Sequence, residues 1–324
     1  MNEAMPPADH ETMLGVSPSP NLSATLIAVL VAVTDDEPRV LTVSCAKALP
    51  AGPFAVTDRS LQASLRAWVE RQTGSPPGYV EQLYTFADRG RATDDGGLPE
   101  GPAIAISYLG LTRETPVPDG FAATWQNWYH YFPWEDRRAG SGGMPPALLA
   151  NLHAWAAPHA AQMQRVALTF GGIHPSSNGP AWNEELALQR YELLYEAGLV
   201  PESPKPLTGT SMAAGTAMLH DHRRILATAV ARLRAKIKYH PVIFELMPET
   251  FTLLNLQRVF EAVGGRQLHK QNFRRLTEQQ GLVEETGTLA FDTGGRPAKL
   301  HRFKRAVLQE RAISGTKLPL TPLR

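Results

Sequence analysis

Residues 251–303 read FTLLNLQRVFEAVGGRQLHKQNFRRLTEQQGLVEETGTLAFDTGGRPAKLHRF and decide the fold of the C-terminal part of the chain. Apolar residues recur at helical spacing before a glycine pair, and a second amphipathic segment follows and ends at Gly281. LVEETGTLAF and LHRF then flank the tight turn TGGRPAK, which predicts a β-hairpin. Helix, turn, helix and hairpin in this order predict a winged helix, a domain that reads DNA with its second helix.

The second helix of this stretch carries basic and amide side chains on one face. If Phe273 and Leu276 point inward, the outward side presents Gln271, Arg274, Arg275 and Glu278, with Lys270 beside them. Arginine pairs with both acceptors of guanine, and glutamine pairs with adenine, so these types suit base recognition. An ordinary solvated helix face explains the spacing of these residues equally well.

The tip of the predicted hairpin favours the DNA-binding interpretation. Arg296 and Lys299 lie in TGGRPAK, where a wing reaches the phosphate backbone or the minor groove. A helix, a basic helix and a hairpin with a basic tip, in that order, form a stronger signal than any one of them alone.

Charge divides the chain into two unlike parts. Residues 1–204 hold 12 Lys+Arg and 22 Asp+Glu, a net charge of −10, whereas residues 205–324 hold 20 and 9, a net charge of +11. The basic part suits a phosphate backbone, and the acidic part is a poor non-specific ligand for nucleic acid. We therefore expect the two parts to bind different partners.

Several classes of protein find no support in the sequence. The single cysteine, Cys45, cannot form an intrachain disulfide, and MNEAMPPADHE lacks the basic and apolar parts of a signal peptide. The longest apolar run, within residues 24–33, is much shorter than a membrane span. We expect a cytoplasmic protein with no membrane segment. No glycine motif for nucleophilic catalysis or phosphate binding is present.

The N-terminal part predicts an α/β or α+β domain. SATLIAVLVAV and RVLTVSC indicate a hairpin joined by TDDEP, with the first strand buried on both faces. DRSLQASLRAWVERQTG predicts a helix with Asp58 as its N-cap and Gly74 at its end. YVEQLYTF and AIAISYLGL predict two further strands.

The middle of the chain is expected to be mostly helical. Trp125, Trp128, Tyr129 and Phe132 fall at helical spacing and predict a core stripe, with a stacking platform for a purine as the alternative. Residues 145–166 and 183–198 predict helices, and PESPKP (201–206) has the composition of a linker.

A long helix is predicted after this linker. Its apolar stripe predicts packing on another helix, either of this chain or of a second copy: Leu226, Val230, Leu233 and Ile237. Neither the pair His220 and His222 nor the pair His153 and His159 has a spacing that shares one helix face, so we assign no metal site.

Longer motifs resemble one family. LRAKIKYHPVIFELMPETFTLLNLQRVFEAVGG, NFRR, GLVEETG and GRPAKLHRF resemble the DNA-binding domain of Nudix-related transcriptional regulators of bacterial NAD metabolism. YVEQLYTFADRGR and YHYFPWEDRR resemble the N-terminal half of the same family, in its longer, alphaproteobacterial-type form. The resemblance covers nearly all of residues 22–305.

This resemblance implies a Nudix-like α/β/α sandwich followed by a C-terminal winged helix-turn-helix. The expected divisions are a disordered tail, an effector-sensing domain with a helical insertion, a linker with a connecting helix, the winged helix and a second tail: 1–21, 22–204, 205–240, 241–312 and 313–324. It also implies a homodimeric repressor of NAD biosynthesis or salvage genes, bound to a palindromic DNA operator.

The motif of active Nudix hydrolases is incomplete here. The positions that match are Gly52, Arg66 and Glu70. At the other positions Asp58 stands for a glutamate, Trp68 fills the apolar place, and the remaining residues depart from the motif: Ala67, Arg71 and Thr73. Hydrolysis of a nucleoside diphosphate needs several carboxylates around Mg²⁺, so we expect a site that binds without cutting, and no catalytic residues.

The expected effector is a NAD-related nucleotide such as ADP-ribose, NAD or ATP, with no required cofactor. The residues expected to contact it are Asp58, Arg66, Glu70, Glu81 and Arg89. An exposed ion pair between Arg66 and Glu70 is an equally simple explanation of that pair. The rival hypothesis is an active hydrolase of the ADP-ribose pyrophosphatase type with an appended DNA-binding domain.

Overall fold

Strand β1 (Ser23–Thr34) lies at the centre of the larger sheet. Its apolar run is continuous because both faces of the strand are buried. Alternate side chains enter two separate clusters, with Leu26, Ala28 and Leu30 on one face and Ile27, Val29 and Val31 on the other.

The computed structural model of the protein describes residues 23–54, 59–87, 103–140, 144–171, 181–207, 214–291 and 297–304. The further strands are β2 (Glu37–Thr42), β3 (Ala51–Pro53), β4 (Tyr79–Phe86), β5 (Ala103–Leu111), β6 (Thr124–Asn127), β7 (Phe251–Thr252), β8 (Val283–Ala290) and β9 (Ala298–Phe303). The helices are α1 (Leu61–Thr73), α2 (Pro146–Ala156), α3 (Ala160–Phe170), α4 (Ala187–Glu196), α5 (His222–Lys236), α6 (Leu253–Gly264) and α7 (Lys270–Gln280).

The larger sheet has the strand order β4-β5-β1-β2-β6, and β3 pairs with the first half of β1. Only the β1–β5 pair is parallel among the strand pairs of the described residues. The β1–β2 hairpin predicted around TDDEP is confirmed, and Asp35 and Asp36 have φ values of 52° and 61° at its turn. Both residues thus take the left-handed conformation that a type I′ turn requires.

Helices cover both faces of this sheet, as the expected sandwich requires. Helix α1 packs on one face through Leu65 and Val69, and α5 and α6 lie on the other. The stripe predicted on the long helix is fully buried within this one chain, from Leu226 to Ile237. The expected packing on another helix is confirmed within this chain, where α5 contacts α4 and α6, so the stripe does not face a second copy.

The predicted winged helix is formed by α6, α7 and a three-stranded sheet of order β7-β9-β8. Thr252 caps α6 in a capping box with Asn255, and Gly265 ends the helix in the left-handed conformation. Phe273 of α7 packs edge-to-face on Phe260 of α6, with ring centroids 5.6 Å apart. One buried apolar cluster runs through both this unit and the larger sheet.

The aromatic segment after β5 is not a helix, contrary to the prediction from its spacing. Residues 124–127 form β6, which pairs with β2, and two short 3₁₀ turns follow at Trp128–His130 and Pro133–Glu135. Pairing to β2 and the proline at the second turn outweigh the helical periodicity. Trp128, Tyr129 and Phe132 are nevertheless buried, so their assignment to the core is confirmed.

Other local predictions need correction. The N-cap of α1 is Ser60, whose hydroxyl accepts from the Ala63 amide, and Asp58 lies outside the described residues. The helical stretch at 145–166 is two helices, broken around Pro158. Glu202 of the predicted linker forms an ion pair with buried Arg223, so this segment packs against the chain.

Helix α5 begins at His222, while His220 has a φ of 50° and lies before it. The sequence argument placed both histidines on one helix and so kept their side chains apart, and this does not apply. Their rings are in edge contact. Within the described part of the chain, no group of three or more His, Cys, Asp or Glu side chains could hold a metal ion.

Candidate DNA-binding and effector sites

Helix α7 has one buried and one exposed face. Phe273 and Thr277 are buried, whereas Lys270, Gln271, Arg274 and Arg275 are all exposed, as the rotation argued from sequence requires. Gly281 ends the helix with a φ of 60°. The exposed part of the helix thus includes three cations and an amide, the groups that contact phosphates and the edges of purines, together with the carboxylate of Glu278.

The wing carries paired charges. Lys299 of β9 forms an ion pair of 2.8 Å with Glu285 of β8, and Arg302 pairs with Glu284 at 2.6 Å. The Lys299 ammonium hydrogen bonds to Glu285 and lowers the pKa of that carboxyl below its ordinary value. Arg296, the other predicted cation of the wing, lies outside the described residues.

On the Nudix-like side, Arg66 has a structural contact. Its guanidinium donates to the carbonyl oxygens of Pro77 and Gly78, at 2.6 and 3.0 Å. These bonds tie α1 to the turn that precedes β4. Two N–H donors of Arg66, a residue predicted to bind the effector, are therefore already bonded to the backbone.

Arg71, which replaces a carboxylate of the hydrolase motif, stacks on Trp68 of the same helix. The Arg71 guanidinium lies 4.1 Å from the centre of the Trp68 ring, and the indole N–H donates to the Pro53 carbonyl. The Trp68 ring also lies on Gly52, where an added Cβ would come within 2.0 Å of it. A cation, Arg71, therefore stands where the motif calls for a carboxylate, and it lies against the indole of Trp68.

Glu81 faces away from α1. Its carboxylate forms an ion pair with Lys236 of α5 and accepts from the Tyr79 hydroxyl at 2.5 Å. Partial burial lowers the pKa of Lys236, but its hydrogen bonds to Glu81 and Tyr79 outweigh burial and raise that pKa above the ordinary value. Helix α5 covers the face of the sheet opposite to α1.

The predicted effector residues therefore do not form one cluster. Arg66 and the exposed Glu70 lie on α1, and Glu81 lies across the sheet from them. Asp58 and Arg89 lie outside the described residues. Among the described residues of this set, Glu70 is the one carboxylate on the outward side of α1. One carboxylate alone does not make a tight Mg²⁺ site.

A buried ionic cluster escaped the sequence analysis. Glu135 is fully buried and pairs with Arg190 of α4 and Arg234 of α5. Burial by itself raises the pKa of Glu135, but the two guanidinium groups outweigh it and hold that pKa below the ordinary value. The sequence feature that could have indicated this cluster is Arg234, a charged residue that directly follows Leu233 of the apolar stripe on α5.

No helix in the described ranges has the length and apolar character needed to cross a bilayer. The geometry defines a two-part chain, a Nudix-like α/β/α sandwich followed by a winged helix.

Comparisons with known proteins agree with this architecture. Residues 243–303 match the family model of the NrtR DNA-binding winged helix domain. The curated protein "ADPR responsive transcriptional repressor NtrR" of Acinetobacter baylyi is 43% identical over 83 residues, which are 26% of this chain and 33% of that protein. The chain thus spans about a third of the length of this relative.

Solved structures share the fold. NrtR of Shewanella oneidensis, solved with a 27mer DNA, has a TM-score of 0.54 at 20% identity, over 93% of this chain and 99% of that chain. A MutT/nudix family protein from Enterococcus faecalis has a TM-score of 0.51 at 18% identity, over 93% and 90%. The resemblance seen in the sequence motifs is confirmed, and so is a Nudix-like fold joined to a C-terminal winged helix.

Proposed function

We propose that this chain is a transcriptional repressor that binds double-stranded operator DNA through its winged helix. The observation that carries the proposal is the exposed row Lys270, Gln271, Arg274 and Arg275 on α7, within the residues that match a DNA-binding domain. The net charge of +11 in residues 205–324 supports attraction to a phosphate backbone.

The proposed effector of the Nudix-like domain is ADP-ribose, with NAD and ATP as the other nucleotides to test. The name of the Acinetobacter baylyi relative, which is called ADPR responsive, supports ADP-ribose as the first choice. In this proposal the effector is bound and not hydrolysed, because Ala67 and Arg71 replace carboxylates of the hydrolase motif and Arg71 stacks on Trp68.

We further propose that the protein acts as a homodimer on a palindromic operator, because two half-sites require two recognition helices held at a fixed spacing. The proposed targets are genes of NAD biosynthesis or salvage, in keeping with the resemblance of the motifs in 226–303.

The rival candidate is an active Nudix hydrolase with an appended DNA-binding domain. The exposed Glu70 on α1 is the observation that favours it. Purified protein incubated with ADP-ribose and Mg²⁺ is expected to show no turnover. Turnover at ordinary enzyme rates, about 1 s⁻¹ or faster, would overturn the non-catalytic assignment.

A gel-shift experiment tests the repressor itself. At one fixed salt concentration, the full chain is mixed with a palindromic duplex from the promoter of an NAD biosynthesis gene and with a random duplex of equal length. Strong preference for the promoter duplex, and a change of that affinity on adding ADP-ribose, are the expected results. Equal affinity for both duplexes would contradict a repressor.

A further inference from the structure

Side chains and backbone of the Nudix-like domain hold the C-terminal end of α6. The Tyr129 hydroxyl donates to the Ala262 carbonyl at 2.6 Å, and Arg234 Nε donates to the Val263 carbonyl at 2.9 Å. The Arg137 amide donates to the Gly265 carbonyl at 2.8 Å. The last carbonyls of a helix lack partners within that helix, so α6 takes three donors from outside the winged helix.

Arg234 is itself fixed by Glu135. The carboxylate accepts from Nη1 of Arg234 and, through both oxygens, from Arg190. Arg234 also donates to the Tyr129 hydroxyl at 3.4 Å. We name Tyr129, Glu135, Arg190 and Arg234 the Glu135 cluster. All its donors are directional and buried, so a shift of any member breaks a bond that water does not replace.

Backbone contact makes this junction close. Gly265 has a φ of 69°, and a Cβ added there would lie 2.3 Å from the Glu135 carbonyl oxygen and 3.0 Å from the Tyr129 hydroxyl oxygen. The end of α6 and the segment around Glu135 therefore approach to a distance that only glycine permits.

Helix α5 connects this junction to the sheet. Arg234 and Lys236 are two positions apart and so project from nearly opposite sides of the helix. Lys236 pairs with Glu81 on β4, while Arg234 pairs with Glu135 and donates to the end of α6. Two sets of charge-assisted bonds, linked by the backbone of α5, thus join β4 to the first helix of the winged helix.

Stability alone does not account for a buried ionic cluster. Apolar side chains of equal volume generally pack as stably as buried ion pairs, since desolvation offsets the attraction between the charges. What the cluster adds is direction, because each guanidinium donor accepts only a narrow range of positions for its partner.

We propose that the Glu135 cluster is the joint through which nucleotide binding in the Nudix-like domain sets the orientation of the winged helix, with Tyr129, Glu135 and Arg234 as positioning residues. The inference rests on the proposed function. Nucleotide binding at α1 reaches β4 through Arg66, which donates to the Pro77 and Gly78 carbonyls directly before that strand. The pairing of Glu81 with Lys236 then changes, and α5 turns. Arg234 then pulls on the end of α6, and the spacing of two α7 helices in a dimer changes.

Two tyrosine variants of the full chain test the joint. Tyr129→Phe removes the hydroxyl that holds the Ala262 carbonyl and leaves the ring in place. Tyr131→Phe is the matched control, because the Tyr131 hydroxyl also donates to a carbonyl at 2.6 Å, that of Ala46, which lies outside α6. The measured quantity is the ratio of operator Kd values with and without saturating ADP-ribose, alongside the Tm of each variant.

Tyr131→Phe is expected to keep the wild-type ratio, and Tyr129→Phe is expected to bring the ratio at least about threefold closer to 1 while its Tm stays near that of the control. A Tyr129→Phe protein with the wild-type ratio would overturn the joint and leave the repressor proposal intact. A wild-type ratio of 1 would overturn the joint and the ADP-ribose effector together, since there would be no signal to transmit, and the comparison of operator and random duplexes would still decide the DNA-binding proposal.

Discussion

The Tyr129 hydroxyl donates a hydrogen bond of 2.6 Å to the carbonyl oxygen of Ala262, and this bond joins the aromatic segment of the Nudix-like domain to α6 of the winged helix. The two residues are 133 positions apart in the chain. Their contact belongs to a buried set of bonds that also engages Glu135 and Arg234. The chain therefore has a defined contact between its two parts.

The first prediction concerns base recognition by α7. Arg274→Ala and Arg275→Ala are each expected to weaken operator binding, by about 1–3 kcal/mol for a residue that contacts guanine. Arg165→Ala, which removes an exposed arginine of α3, is the control and should leave the affinity unchanged. Fluorescence anisotropy with a labelled operator measures all three. Unchanged affinity in both α7 variants would move recognition to another surface.

The second prediction concerns the wing. Lys299→Ala should weaken binding to operator and random duplexes equally and lower the salt slope by about 0.9, the value for one phosphate contact. Glu285→Gln should have the opposite effect, because it frees the Lys299 ammonium from its 2.8 Å ion pair. Affinities at four salt concentrations give the slopes. A loss confined to the operator duplex would show that Lys299 does not act through phosphate.

The third prediction concerns the buried carboxylate. Glu135→Gln leaves two buried guanidinium groups without their counter-charge and is expected to lower the free energy of unfolding by about 3–5 kcal/mol. Glu196→Gln breaks the exposed pair with Arg165 and should cost less than about 1 kcal/mol. Urea denaturation of the two variants gives both values. Similar losses in both would mean that the Glu135 cluster is not an ionic network.

This carboxylate also sets a pH dependence. Its pKa lies below the ordinary value of 4.5 in the folded chain, so its stabilising contribution is fully present above pH 4.5. The contribution is lost as the pH falls from 4.5 through the folded pKa. The difference in unfolding free energy between wild type and Glu135→Gln should therefore narrow over that acid range, and a constant difference would contradict the assignment.

The fourth prediction compares two glycines with the same backbone conformation. Gly265 and Gly281 have φ values of 69° and 60°, but a Cβ at Gly265 meets the Glu135 carbonyl at 2.3 Å, and one at Gly281 meets nothing within 4 Å. Gly281→Ala should cost about 1–2 kcal/mol from the backbone alone. Gly265→Ala should cost at least about 1 kcal/mol more from overpacking. Equal losses in Tm would contradict the close approach at α6.

Local patterns in the sequence predicted most elements and the exposed face of α7. Phe273 and Leu276 set the rotation of that helix, because apolar side chains on one side fix which face of an amphipathic helix points inward, and Phe273 is buried. The β1–β2 turn was equally readable, since Asp35 and Asp36 tolerate the left-handed conformation.

Features that depend on distant partners could not be predicted. Glu135 meets Arg190 and Arg234, which are 55 and 99 positions away, and no local pattern records such a meeting. The helical spacing of the tryptophan segment was misleading because β2, more than 80 positions earlier, pairs with it as a strand. Glu81 was expected in one effector site with Arg66 but lies across the sheet from it, because its partner is Lys236, which is 155 positions away.

One measurement tests the central claim most directly. A labelled palindromic operator is titrated with the wild-type chain by fluorescence anisotropy, and unlabelled operator and random duplexes compete at the same salt concentration. We predict that the operator competes at a concentration at least about 10³ times lower than the random duplex. Competition by both duplexes at the same concentration would contradict the account of this chain as a sequence-specific repressor.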